Sequence, residues 1–150
     1  VDDFVLVHHD RAQLEAWLPP IEQFLQHRLR LTLKADIRLK PLTAGLDFLG
    51  YWIYPTHTLV RPRVIHHARQ KLDAWQQRHV RRTANGWRIN ADPQQQDRLR
   101  SVWASYQGHF RHADSLRLQQ AFYRRYGWLM QLAPTVFPET LTSSTARNSP

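Results

Sequence analysis

The chain has 150 residues, of which 42% are hydrophobic and 11% aromatic, so it can bury a core and does not have a disordered composition. It contains no cysteine, which excludes disulfides and thiolate zinc sites and agrees with a reducing, cytoplasmic setting. No apolar run approaches the roughly 20 residues that a membrane-spanning helix needs. We therefore expect a soluble protein with no membrane partner.

The formal net charge is +9, and the basic residues are concentrated in the second part of the chain. Residues 1–60 carry six Lys or Arg and seven Asp or Glu, a balance of −1. Residues 61–131 carry fourteen and four, a balance of +10. Such a field attracts polyanions, and nucleic acid is the default partner because neutralising its phosphates releases condensed counterions.

The chain begins with two adjacent carboxylates, Asp2 and Asp3, followed by the strand-like run Phe4–Val7. We predict a strand with both acids in a tight turn at its start. Two carboxylates held this way could bind a hard divalent cation such as Mg²⁺. Acids before a strand are also ordinary turn residues, so the pair alone leaves both interpretations open.

A kinked helix is predicted next. Asp10 is typical of a helix N-cap, with Gln13 three residues later as in a capping box. The apolar stripe of this helix consists of Leu14, Trp17, Leu18, Ile21, Phe24 and Leu25. Pro19-Pro20 predicts a kink or a restart, with the second segment ending near Arg28.

Residues 29–60 change to the alternating pattern of strands. Its apolar positions are Leu29, Leu31, Leu33, Ile37 and Leu39, followed by the block 46–54. Pro55-Thr56-His57 predicts a turn, and Thr58–Val60 its return arm. Together with the kinked helix these strands predict a small antiparallel sheet, so the fold class is α+β.

Three amphipathic helices are predicted from Arg61 onward, forming an all-α bundle with an aromatic core. The first ends before the turn at Asn85-Gly86. The second begins at Asp92-Pro93 and ends at Gly108, and the third runs from about Asp114 to Met130. The tail, residues 133–150, is predicted to be disordered because beyond Pro138 it carries no core residues.

Basic residues of this bundle are the predicted nucleic-acid contacts: Arg69, Lys71, Arg78, Arg81, Arg82, Arg111, Arg117, Arg124 and Arg125. Trp75, Trp103, Phe122 and Tyr126 stand at helical spacing and are predicted to be core. Trp87 and Tyr123 remain candidates for contact with bases. No glycine-rich phosphate loop and no serine or cysteine nucleophile arrangement is present, so nucleotide-loop and hydrolase functions lack support.

Three histidine clusters lack a recognised metal spacing. His8 and His9 are adjacent on a predicted strand and would point to opposite faces. His66-His67 and the pair His109 and His112 have no further histidine or acid at a zinc interval. We interpret the second and third clusters as basic helix residues or contacts of a helix N-terminus with phosphate.

The order of these motifs resembles a reverse transcriptase of the prokaryotic group II intron and diversity-generating retroelement type. Val1-Asp2-Asp3-Phe4 is similar to the aspartate-pair hairpin of the palm. Phe48-Leu49-Gly50-Tyr51 is similar to the hairpin that grips the primer end. The basic helices from Arg61 to about Leu132 resemble the thumb, and Ser105 to Ala113 (Ser-Tyr-Gln-Gly-His-Phe-Arg-His-Ala) resembles a stretch of the prokaryotic members.

The resemblance implies a C-terminal palm over residues 1–62 and a helical thumb over residues 63–132. It implies that Asp2 and Asp3 bind the catalytic Mg²⁺ ions and that Phe48 to Tyr51 lie at the primer backbone. The reaction would be DNA synthesis on an RNA template from a DNA or RNA primer. The partners would include the N-terminal fingers and palm of the same enzyme, which this chain does not contain.

Three departures from the family pattern limit this inference. The aromatic residue that normally stands before Val1 in the family is absent from this sequence, so the steric gate and the template contacts of that region are not assigned. The other metal-binding aspartate of the family lies in the part that precedes Val1, so the isolated chain is expected to bind nucleic acid and not to polymerise. Family members often carry a lysine that serves as candidate general acid for pyrophosphate. Here Ile37 stands near that position with Lys34 and Lys40 close by, and the role stays open.

Two further functions are compatible with the sequence. The first is a non-catalytic nucleic-acid-binding accessory protein that has kept the thumb. The second is a metal-dependent nuclease using Asp2, Asp3 and Asp10, for which no further acids stand at a suitable spacing.

Overall fold

The computed structural model describes residues 3–134, and its architecture is α+β, as the sequence predicts. Within this range it contains five α-helices, a three-stranded antiparallel sheet and a two-stranded hairpin. The chain divides into two compact units, Val1–Lys40 and Pro41–Pro150. No helix within residues 3–134 combines the length and apolar character that a membrane crossing requires.

Helix α1, Arg11–Phe24, organises the first unit. The Asp10 carboxylate accepts a hydrogen bond from the Ala12 N–H at 2.9 Å, which confirms the predicted N-cap. The helix passes through Pro19-Pro20 and continues into a π-helical turn, Leu25–Leu29, so the prediction of a restart at Pro20 is wrong. Proline fixes φ at about −65°, which is compatible with a helix. The two prolines therefore remove two amide donors from α1 without interrupting it.

Neither predicted strand of the first unit forms in its described part. Phe4–Val7 and residues 30–39 have no ladder hydrogen bonds, and their apolar side chains lie largely at the surface. A strand requires a neighbour for its amide and carbonyl groups, and residues 3–40 supply none. The alternating pattern was therefore insufficient to produce a strand here.

A three-stranded antiparallel meander opens the second unit, in the order β1-β2-β3. Its strands are β1 (Leu46–Phe48), β2 (Tyr51–Ile53) and β3 (Thr58–Val60), preceded by a 3₁₀ turn, Leu42–Ala44. The Tyr54 N–H donates to the His57 carbonyl at 2.9 Å and closes the second turn. The strands predicted for residues 46–60 are confirmed, and the block 46–54 is itself a hairpin.

Four helices follow the meander: α2 (Pro62–His79), α3 (Pro93–Phe110), α4 (Leu116–Arg125) and α5 (Leu129–Leu132). Asp92 and Gln95 form a capping box at the start of α3, which confirms the predicted start. Helix α3 passes through Gly108, so its predicted end there is wrong. A single glycine only weakens helix propensity, by about 1 kcal/mol, and does not stop a helix whose other residues are packed.

The third predicted helix is two helices, because the chain leaves helical geometry at Tyr126, which caps α4. The buried Tyr126 hydroxyl donates to the Asp73 carboxylate at 2.8 Å. This contact with α2 holds the ring in the core at the point where the backbone turns. Tertiary packing therefore decided the break, which the apolar period alone did not predict.

A β-hairpin lies between α2 and α3, within the segment predicted to be all helix and turn. Strand β4 (Val80–Thr83) pairs antiparallel with β5 (Gly86–Ile89). The Asn90 N–H donates to the His79 carbonyl at 2.7 Å, which closes the hairpin at its base. The predicted turn at Asn85-Gly86 is present, but the two strands were missed because each has only four residues and carries arginines.

The core of the second unit is aromatic. Its least exposed large side chains are Trp103, Trp128, Tyr126, Phe110, Leu72 and Leu129. The predicted burial of Trp103, Phe122 and Tyr126 is confirmed, and Trp75 stacks on Trp128 at a centroid distance of 4.8 Å. Strand β3 contributes Val60, 5% exposed, so the sheet is packed on the same core as the helices.

The buried Trp103 indole N–H has one acceptor, the Tyr123 hydroxyl at 2.9 Å. We expect Tyr123→Phe to lower the free energy of unfolding by about 1–3 kcal/mol, because a buried donor then loses its partner. Denaturant titration of both proteins measures the difference. Tyr106→Phe is the matched control, since no hydrogen bond of its hydroxyl is present within residues 3–134. An equal loss in both variants would contradict the assigned role.

Candidate metal site and nucleic-acid interface

The predicted metal site lies at the start of the chain, where Asp2 falls outside the described residues. The Asp3 side chain is 64% exposed, and its carboxylate lies 3.9 Å from the Lys34 Nζ. Carboxylate oxygen is the donor that Mg²⁺ prefers, often completed by substrate phosphates, so the chemistry of Asp3 fits the ion. Within residues 3–134 no three His, Asp or Glu side chains come together as a metal site.

Asp10, the third acid of the nuclease hypothesis, is used in folding. Its carboxylate caps α1, and its backbone N–H donates to the His8 Nδ1 at 3.1 Å. The His8 ring also lies 4.2 Å from that of His9. These contacts assign Asp10 and His8 to the start of the helix.

The primer-grip-like residues form the turn between β1 and β2. Phe48 pairs with Tyr51, and Leu49 and Gly50 are the two turn residues, with φ of 48° and 89°. Positive φ at both positions is the geometry of a type I′ hairpin turn, which matches the strand twist. Leu49 is unusual there because its Cβ makes this conformation unfavourable, and its side chain is 58% exposed at the tip.

Arg61 holds this strained turn from the start of α2. Its backbone N–H donates to the Gly50 carbonyl at 2.9 Å. Its guanidinium forms an ion pair of 2.6 Å with Asp47, and about a third of each side chain is exposed. A strained backbone conformation persists only where the surrounding structure holds it in place. The hydrogen bond and the ion pair of Arg61 are two of the contacts that hold this turn.

Helix α3 holds the same turn through His109. The Tyr51 and His109 rings are stacked, with centroids 4.2 Å apart and an interplanar angle of 12°. The Tyr51 hydroxyl donates to the His109 carbonyl at 2.8 Å and lies 3.0 Å from Nδ1 of the same residue. Since the hydroxyl proton is used on the carbonyl, its oxygen accepts from Nδ1–H. Burial raises the pKa of Tyr51, which favours this neutral, donating form.

The other ring nitrogen of His109, Nε2, is buried without a hydrogen-bond partner within residues 3–134. It lies directly against Gly50: a Cβ at that position would stand 3.1 Å from Nε2 and 3.0 Å from Cε1. Val64 of α2 would be 3.4 Å away. The glycine thus provides both the positive φ and the space that the histidine ring occupies.

His109 is a site residue that sequence reasoning missed. Its spacing to His112 suggested a basic or phosphate-binding helix face, but its ring is packed against the hairpin. The partner, Tyr51, is 58 residues away, and no local pattern connects the two. Tyr51 and His109 each lie in a motif on which the family resemblance is based. That shared resemblance is the one sequence signal that could have suggested a contact between them.

The nine predicted cationic contacts fall into several groups. Arg78 lies in the last turn of α2, and Arg81 and Arg82 lie on β4 and not on a helix. Arg111 and Arg117 line one shallow depression together with Asp114. Lys71 on α2 and Arg124 on α4 are exposed.

Arg69 and Arg125 belong to the packing between α2 and α4. Arg125 donates to Asp73 at 3.3 Å and to the Tyr126 hydroxyl at 3.1 Å. These hydrogen bonds, the one with Tyr126 first, raise the pKa of Arg125. The Arg69 guanidinium lies 5.9 Å from the centre of the Phe122 ring. Both residues therefore have a structural role beside any contact with phosphate.

The two predicted aromatic contacts differ in exposure. Tyr123 is 7% exposed, and its hydroxyl accepts from Trp103 and donates to the Ala133 carbonyl at 3.1 Å. The prediction that Tyr123 contacts bases is wrong, because its helical position faces the core. Trp87 is partly buried, and the Arg82 guanidinium lies 5.6 Å from its ring centre.

Neither a family model nor a curated protein sequence matches the chain. The family resemblance therefore depends on the ordered motifs of this chain. The geometry shows where these motifs lie, with the Phe48–Tyr51 turn on the sheet and the Ser105–Ala113 stretch at the end of α3. Tyr51 and His109 bring the two motifs into contact.

We expect Gly50→Ala to destabilise the protein by about 2–4 kcal/mol, the sum of strain at positive φ and a clash with His109. Gly86→Ala is the matched control. Gly86 also has positive φ, of 123°, but no atom lies within 4 Å of the added carbon, so only backbone strain applies. Thermal and denaturant unfolding measure both. Equal destabilisation would show that the His109 contact does not constrain the turn.

Proposed function

We propose that this chain is the C-terminal portion of a cytoplasmic RNA-directed DNA polymerase of the prokaryotic group II intron or diversity-generating retroelement type. Residues 1–62 would be the end of the palm and residues 63–132 the thumb. The partners are an RNA template, a DNA or RNA primer and the upstream fingers and palm of the same enzyme.

The turn at Phe48–Tyr51 carries this proposal. Primer extension requires the primer end to be held in near-attack geometry, and a misplacement of about 1 Å can cost a hundredfold in rate. A strained turn held by α2 and α3 suits this task because its position is determined from several directions. The exposed Leu49 and the backbone of Gly50 are the parts of the turn closest to a ligand at the tip.

The charge distribution supports the thumb part of the proposal. Residues 61–131 have a balance of +10, and the described arginines of this region lie largely at the surface. A hybrid duplex is recognised through its phosphates and shape, which requires distributed cations and not a deep pocket.

Asp2 and Asp3 would hold Mg²⁺, which when bound stabilises the charge that develops on the transferred phosphoryl group. The exposure of Asp3 leaves its oxygens accessible to an ion and to substrate phosphates. The role of this chain in that centre would be to supply carboxylate oxygens to the ion.

The decisive test uses the chain together with the polypeptide encoded directly upstream of Val1. We expect Mg²⁺-dependent extension of a DNA primer on an RNA template, measured by gel-resolved nucleotide incorporation. Asp3→Asn is expected to lower the rate at least about a hundredfold, since a metal contributes several kcal/mol of transition-state stabilisation. Asp36→Asn is the matched control, because Asp36 forms an exposed ion pair with Arg38 at 2.6 Å. Absence of extension by the wild-type protein would refute the proposal.

The 150-residue chain alone is expected to bind an RNA–DNA hybrid and to incorporate no nucleotide. Fluorescence anisotropy measures binding, and a labelled primer reports incorporation. Affinity should fall with rising salt, because bound phosphates release counterions. Template-dependent incorporation by this chain would contradict the expectation that the metal site requires the missing aspartate.

A non-catalytic accessory protein is the second candidate. It is favoured by the basic balance of residues 61–131, which is +10 and supports binding of nucleic acid without any metal site. Such a protein would bind hybrid with an affinity that Asp2→Asn and Asp3→Asn leave unchanged, and its upstream extension would give no synthesis. The primer-extension assay therefore separates the two functions.

A further inference from the structure

The β4–β5 hairpin, residues 80–89, has two chemically different faces, and we call it the arginine ribbon. Side chains alternate along each strand, so Val80, Ile89, Trp87 and its opposite neighbour Arg82 share one face. Val80 is 6% exposed, and Trp87 and Ile89 are packed against the buried core. The ribbon is therefore attached to the core by one face, and the other face is directed outward.

Arg81 and Arg88 lie directly opposite each other on the outward face. Directly opposed side chains have Cβ atoms about 4.5–5.5 Å apart, and like charges at this distance are destabilising. The stretch from Gln77 to Ala91 contains four arginines and no Asp or Glu. No ion pair to Arg81 or Arg88 is present within residues 3–134. The fold thus tolerates an uncompensated pair of cations.

The Arg81 guanidinium is held in place by the end of α2. Its Nη1 donates to the Gln77 carbonyl at 3.1 Å and to the Val80 carbonyl at 3.2 Å. A guanidinium has five N–H donors, so Nε and Nη2 remain for a ligand. A cation fixed in this way loses little side-chain entropy on binding an anion.

The ribbon is also fixed at its base and on its inner face. The His79 carbonyl accepts from the Asn90 N–H, and the His79 Nδ1 lies 3.1 Å from the Asn90 carbonyl. A Cβ added to Gly127 would stand 3.1 Å from the Trp87 Nε1, so the indole is seated closely on the link between α4 and α5. The two outward arginines therefore project from a rigid support.

We propose that Arg81 and Arg88, with the neighbouring Arg78, bind the phosphate backbone of nucleic acid. Arginine presents a planar fork that matches phosphate oxygens, and all cations of this stretch are arginines. The other outward positions, Thr83 and Gly86, offer no apolar surface for a protein interface or for insertion into a lipid headgroup layer. The choice of a nucleic acid rests on the proposed function, and the assignment adds Arg88, which the sequence did not single out.

The test compares Arg81→Gln/Arg88→Gln with the wild-type 150-residue chain in binding to an RNA–DNA hybrid at increasing salt. We expect weaker binding and a decrease of about two in the slope of log K against log salt, since each phosphate contact contributes roughly 0.9. Arg81→Lys/Arg88→Lys keeps the charges and should retain most of that slope. Arg28→Gln/Arg98→Gln removes the same charge elsewhere and should leave the slope unchanged.

Thermal unfolding of each variant separates binding from folding. Removing two opposed like charges should not lower the unfolding temperature, because their repulsion is relieved. If the double variant fails to fold, Arg88→Gln alone carries the test, with an expected slope decrease of about one.

Three results would overturn the assignment of the ribbon while leaving the proposed function intact. The first is a slope of log K against log salt that does not change in Arg81→Gln/Arg88→Gln. The second is an equal decrease of that slope in Arg28→Gln/Arg98→Gln. The third is that the wild-type chain binds polyglutamate more strongly than the RNA–DNA hybrid. A wild-type chain that binds no hybrid at any salt concentration would overturn both proposals. The two failures are therefore distinguishable.

Discussion

The contact between Gly50 and His109 is the constraint on which the candidate site depends. A two-residue turn with positive φ at both positions is unfavourable for Leu49, and it persists because α2 and α3 fix it from outside. Arg61 contributes a backbone hydrogen bond and an ion pair, and the stacked pair of Tyr51 and His109 contributes the second support. The sheet and the helical part therefore act as one unit around this turn.

Electrostatics and packing act on different faces of the second unit. The aromatic core around Trp103 satisfies its polar atoms internally, since its indole N–H is bonded to the Tyr123 hydroxyl. The basic residues lie mostly at the surface, and only some have partners: Arg125 is bonded to Asp73, whereas Arg88 has no acid opposite it. Repulsion between uncompensated positive charges lowers the stability of the free protein. The same charges favour binding once they contact phosphates.

The sequence predicted correctly the helix starts and strands that depend on neighbouring residues. It did not predict the features that depend on a partner far away in the chain. The N-caps at Asp10 and Asp92 and the strands from Leu46 to Val60 follow from side-chain chemistry and nearest-neighbour pairing, and all are confirmed. The strand at Phe4–Val7 is absent because an alternating pattern needs a paired neighbour. The end of α4 at Tyr126 was missed because Asp73, more than 50 residues away, holds that side chain.

The sequence by itself determined the α+β class, the strong basic balance of residues 61–131 and the residues of the primer-grip-like turn. Composition and short-range motifs carry these properties because they depend on residue type and spacing. Only the tertiary structure placed the His109 ring beneath Gly50 and set Arg81 opposite Arg88. Both arrangements result from pairing between segments, and neither the histidine spacing nor the arginine count encodes which partner each side chain meets.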